Sequence, residues 1–114
     1  MSQEHDIDPI AISDWMRTHA EELAQAKANR HYLEHFTESL KARLMKDAML
    51  AGEKTIAGQE RYAQGHADYH QHLLGIKDAI ALEEKLKWLM LTAQSKIEIW
   101  RSMESSKRAE MQMI

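Results

Sequence analysis

Apolar residues recur at three- and four-residue spacing along most of the chain, the period of one face of an α-helix. The clearest run is Leu33, Phe36, Leu40, Leu44 and Ala48. Upstream the pattern thins, and Trp15, Met16, Leu23 and Ala26 stand among polar positions. A second run is Tyr69, Leu73, Ile76 and Ile80, followed by Leu86, Leu89, Ala93, Ile97 and Trp100. The phase slips between Ile80 and Leu86, which argues against a strict coiled coil along that whole segment. Ser13 reads as an N-cap, and Asp14 places negative charge at the positive end of a helix dipole. Helix one is therefore expected over 13–51, with Gly52 as its stop. Residues 52–67 carry Gly52, Gly58 and Gly65 and read as a hinge, in which Thr55 caps a short helix through Tyr62. Helix two is expected over 68–103. Residues 1–12 read as a flexible N-terminus, and 104–114, "ESSKRAEMQMI", as a frayed tail.

These elements predict an all-α fold, a single helical domain over 1–114 built as a long antiparallel hairpin with a short hinge helix. Helices of roughly 35–40 residues would be ~50–55 Å long. A hairpin encloses no core, because each helix buries only one stripe against the other. Met45, Met49, Leu74, Trp88 and Met90 would then be left uncovered, so assembly into a homo-oligomer is expected. The competing arrangement is a compact three- or four-helix monomer closed over by the hinge helix.

Composition sharpens the picture without redirecting it. The 114 residues include 4 Gly, 1 Pro and 0 Cys. Scarce breakers favour long helices, and the lack of cysteine removes disulfides, thiolate nucleophiles and Cys-based zinc sites. No apolar run approaches the ~18 residues of a spanning helix. The N-terminal residues lack the basic region and apolar core of a secretory signal. A soluble, cytoplasmic protein with no membrane partner is expected. The net charge of −3 is uneven. Residues 1–40 hold eight acidic and three basic side chains, whereas 41–114 hold ten acidic and twelve basic ones. Global charge therefore does not mark a nucleic-acid binder, and local clusters have to carry that reading.

Residues 31–35, "HYLEH", match the H-x-x-E-H signature of one class of zinc metalloproteases. His31 and His35 fall one turn apart on a helix, the geometry of two zinc ligands, and Glu34 stands where a base would. "HADYH" repeats the spacing at His66 and His70. A catalytic zinc also needs a third ligand, an open position and a walled cleft, and a helical hairpin supplies no such cleft. The histidines read best as solvated residues at the border of the packing stripe. A metal bridging His31/His35 to His66/His70 is the competing arrangement. There is no Gly-rich phosphate loop and no nucleophile elbow. No enzymatic activity and no cofactor are expected.

Basic and aromatic residues cluster in three places. "LKARLMK" carries Lys41, Arg43 and Lys46, with Lys54 and Arg61 following in the hinge. "KLKWLM" carries Lys85, Lys87 and Trp88, and "WRSMESSKR" carries Trp100, Arg101, Lys107 and Arg108. Cations that track phosphates beside aromatics that stack on bases are the equipment of single-stranded nucleic-acid binding. Lysines near a helix C-terminus also favour the dipole with no ligand at all. Trp100 fits the apolar stripe, and Trp88 lies off it.

The run "LKARL" at 40–44 resembles the basic segment of the UvsY family, the recombination mediators of T-even phages. The order of parts is also similar: an acidic first helix, a Gly-bearing hinge, and a long helix with the centre "LKWLMLTAQSKIEIW" and a basic end. The resemblance covers residues 30–103. It implies a helical oligomer of a phage-type protein that binds single-stranded DNA. Such a protein helps load a recombinase against a single-strand binding protein during DNA recombination or repair. On that resemblance Lys41 and Arg43 match the DNA-contacting basic motif. The alternative function is a small phage-type helical adaptor or inhibitor that docks its acidic N-terminal helix on a protein partner.

Overall fold

The computed structural model describes residues 6–113, and among these it contains helices and no strand. Helix α1 spans Pro9–Leu50, α2 spans Ile56–Gly65 and α3 spans Ala67–Met113. The expected all-α class, the two long helices and the short helix in the hinge are present.

Helix α1 starts four residues before the expected Ser13. The Asp8 carboxylate accepts the backbone N–H groups of Ile10 (3.0 Å) and Ala11 (3.1 Å), which makes it the cap. Pro9 fits the first helical position, because its missing N–H has no partner to lose there. Of the N-terminal segment expected to be flexible, 9–12 is helical, and 1–5 lies outside the described residues.

The other end behaves as expected. Gly52 takes φ +107°, its N–H donates to Met49 O (3.1 Å), and the N–H of Glu53 donates to Ala48 O (3.0 Å). This double closure of a helix C-terminus needs a left-handed residue, which glycine adopts without strain. Thr55 caps α2 by accepting the N–H of Gly58 at 3.0 Å, and α2 then runs to Gly65 rather than stopping at Tyr62. The expected frayed tail is instead helical through Met113. Its Ala, Glu, Lys, Arg, Gln and Met are good helix formers, and Lys107 pairs with Glu104 one turn away (3.6 Å).

The chain divides into two compact units, a central one of 25–83 and a terminal one that joins Met1–Ala24 to Glu84–Ile114. In the central unit α1 and α3 run antiparallel, as the contacts of Arg30 with Glu83 and of Thr37 with His72 require. Its core is Leu40, Leu44 and Ala63, with Phe36, Met45 and Tyr69 packed around them. Ala63 is fully buried, and its small side chain lets α2 lie close against α1. Gln59 is also buried, and its amide donates to Glu53 O at 3.0 Å. The short helix thus covers part of α1, yet Met49, Leu50, Leu73, Leu74 and Ile80 of this unit remain exposed. In the terminal unit, Ala11, Ile12 and Trp15 face Leu89 and Ala93 across an open groove, and Leu23 faces Met90 and Leu91.

The packing stripe of α3 differs from the expected one. Leu73, Ile80 and Leu89 are exposed. The covered positions are His72, Ile76, Ala79, Glu83, Leu86, Met90, Ala93, Ile97 and Trp100, which alternate steps of four and three without a slip. The apparent slip is the place where the stripe is occupied by a carboxylate. Glu83 is 2 % exposed, and Arg30 meets it with a two-point contact, Nε to Oε2 and Nη2 to Oε1 (3.2 Å). Arg30 also donates Nη1 to both oxygens of Glu34 (3.1 and 3.2 Å). These bonds, first to Glu83 and then to Glu34, raise the guanidinium pKa above its ordinary value. A raised pKa on a base stabilises the fold below the unfolded value and loses that effect only above the folded one. For arginine both lie beyond the neutral range, so Arg30 adds no pH dependence to stability near pH 7.

Two outcomes follow. Leu44→Ala should cost about 2–5 kcal/mol in chemical denaturation, since it removes a buried side chain from the small central core. Glu83→Ala should lower Tm more than Glu34→Ala does, because the first leaves the largely covered Arg30 guanidinium without its partner in the seam and the second loses a more exposed pair.

Candidate nucleic-acid interface

The basic residues singled out from the sequence fall into both units. Lys41, Arg43, Lys46, Lys54 and Arg61 belong to the central unit, and Lys85, Lys87, Trp88 and Arg101 to the terminal one. In the central unit the "LKARLMK" cations do not all share a face. Positions two apart on a helix are turned by ~200°. The buried stripe of Leu40, Leu44 and Ala48 therefore runs between a half-buried Lys41 on one flank and an exposed Arg43 on the other, with exposed Lys46 turned further from the stripe beyond Arg43. Arg43 lies over the Phe36 ring, 5.8 Å from its centroid, so part of its cationic face is engaged within the fold. Lys54 and Arg61 are exposed, on the linker before α2 and on α2 itself.

The α3 cluster is more compact. Trp88 is 65 % exposed, and its backbone carbonyl accepts the Thr92 hydroxyl at 2.9 Å within the helix. Lys85 lies one turn before Trp88 on the same side, and Leu91, also exposed, one turn after it. Lys87 is adjacent and reaches Glu84 at 3.5 Å. Arg101 pairs with Glu98 at 3.1 Å, an exposed pair worth about 0.2–1 kcal/mol that does not hold the guanidinium back from a phosphate. Trp100 is half-buried and lines a groove with Ile7 and Met103, as its place in the stripe predicts.

The two histidine pairs do not come together. His31 and His35 are exposed, with ring centroids 6.5 Å apart and planes 21° from parallel. His66 lies at the junction before α3, and its Nδ1 accepts the N–H of Asp68 at 3.0 Å. The histidine of α3 that reaches α1 is His72, whose Nε2 is 2.9 Å from Thr37 Oγ1 and whose ring tilts against Phe36. Among the described residues no three His, Asp or Glu side chains converge on a point. Glu34, the base position of the protease motif, is engaged by Arg30. No helix of the described residues is long and apolar enough to cross a membrane.

Sequence reasoning missed Arg30 and Glu83. The available signal was the phase slip itself, because one acidic residue at the skipped position restores the period, and an arginine on the other stripe is the group able to accompany it into the seam. In comparisons with known proteins, no family model, curated protein or solved structure matches the chain.

An exposed tryptophan off the stripe contributes little to the fold. Trp88→Phe should therefore leave thermal stability within about 0.5 kcal/mol of the parent in a melting experiment.

Proposed function

We propose that this protein binds single-stranded DNA as a recombination accessory of the mediator type, helping a recombinase displace a single-strand binding protein. The observation that carries this reading is Trp88, a large ring held out from the middle of α3 with Lys85 one helical turn away. A ring with an adjacent cation is suited to stack on a base and neutralise the neighbouring phosphate, a combination that tolerates any sequence. The resemblance of "LKARL" and of the order of parts to the UvsY-type mediators supports the same reading. The placement of Lys41 and Arg43 on opposite flanks of α1 moves the weight of the proposal from that pair toward α3. Exposed apolar side chains on both units, Leu73, Ile80 and Leu91 among them, favour assembly of several copies. Repetition would multiply a weak site on each copy into useful avidity.

Fluorescence anisotropy with a labelled single strand tests the proposal. Binding should be present at low salt and fall steeply as salt is added. Trp88→Ala should weaken it by the ~1–3 kcal/mol of one stacked base, and Lys85→Ala should flatten the salt dependence by about one phosphate contact. No binding at low salt would reject the proposal. Binding that survives Trp88→Ala unchanged would reject the site.

A further inference from the structure

The H-x-x-E-H stretch leaves two imidazoles on one exposed helix face. Three other described histidines are engaged. His19 Nδ1 is 2.8 Å from Trp15 O, His66 caps the start of α3, and His72 bonds Thr37. His66 with His70 is not an equivalent pair, since His66 precedes α3 and only His70 lies within it. His31 and His35 sit a full turn apart in the interior of α1, with their rings near-parallel. Side chains at this spacing have Cβ atoms about 5–6 Å apart. Side-chain torsion alone can therefore bring one nitrogen of each ring to the ~2.0–2.1 Å of a zinc–imidazole bond.

The surrounding charge admits a cation. Arg30, next in sequence to His31, is compensated by Glu83 and Glu34. Lys27 lies one turn before His31, and the exposed carboxylate of Glu38 lies one turn after His35. Two imidazoles fill half of a tetrahedral shell, and among the described residues no third ligand stands within the same chain. Tyr32 lies between them in sequence, 64 % exposed and stacked along Phe36 at 6.0 Å, an aromatic surface beside the half-site.

We propose that His31 and His35 form half of an intermolecular site for a late first-row divalent metal, completed by the same pair from a second copy of this chain. A two-fold axis through the ion gives four neutral nitrogens, a donor set suited to zinc, nickel or copper. The site is a structural bridge with no open position for water, in contrast to a catalytic zinc. It does not rest on the DNA-binding proposal, which is tested with a chelator present.

Zinc alone is the probe. The full chain is titrated with zinc chloride by calorimetry, and its mass is followed by light scattering. The expected result is one zinc per two chains, with a doubling of mass over the metal-free protein that a chelator reverses. His31→Ala with His35→Ala should lose both signals, and His70→Ala should keep them. All three side chains are exposed, and an unchanged melting curve certifies the fold of each variant. Binding retained in the His31/His35 variant, or one zinc per chain with no gain in mass, would overturn the proposal.

Discussion

In the central unit a carboxylate sits where a helix seam ordinarily holds hydrocarbon, and the pairing of α1 with α3 follows from the group that meets it. Glu83 enters the stripe of α3 because Arg30 occupies the facing position on α1 and closes on it at two points. A slip of one turn, ~5.4 Å, would part the two charges and leave the carboxylate in an apolar seam. Apolar residues alone discriminate such registers weakly here, since the small core of Leu40, Leu44 and Ala63 is supported by few large side chains. Thr37 and His72 add a second, directional contact between the same helices. Arg30 is in turn held by Glu34, so its side chain is oriented from its own helix before α3 arrives.

That economy of burial shapes what the surface has to offer. With alanines and a carboxylate in the stripe of α3, several of its large apolar side chains lie outside it. Leu73, Ile80 and Leu82 of the central unit and Trp88, Leu89 and Leu91 of the terminal unit are all exposed. The grooves of the terminal unit are open, and one of them is lined mainly by apolar side chains such as Ile12, Trp15, Leu89 and Ala93. The proposed roles of Trp88 and of the His31/His35 pair both draw on this division between a slim seam and a well-furnished exterior.

The helical class, the interruption at Gly52 and the cap at Thr55 were legible because they depend on neighbours in sequence: propensity, a left-handed glycine, and a hydroxyl three residues from an N–H. The start of α1 was misplaced because Ser13 and Asp8 are both good caps, and Pro9 just inside the helix tips the choice toward Asp8. The stripe of α3 was misassigned at Leu73, Ile80 and Leu89 because hydropathy prefers leucine or isoleucine to His72, Ala79 and Glu83. The basic cluster at 41–46 looked like one patch in the linear chain, and helical turning divides it.

The amino-acid order by itself determined that this protein is made of long helices, where the chain reverses, and which rings and cations are available. Each of these rests on local backbone preference and on side-chain chemistry. Only the tertiary structure decided which face of each helix is covered, because covering depends on what the opposite helix brings to that point. Arg30 lies 53 residues before Glu83. No local pattern assigns an acidic side chain to a buried seam until the partner that compensates its charge is placed beside it.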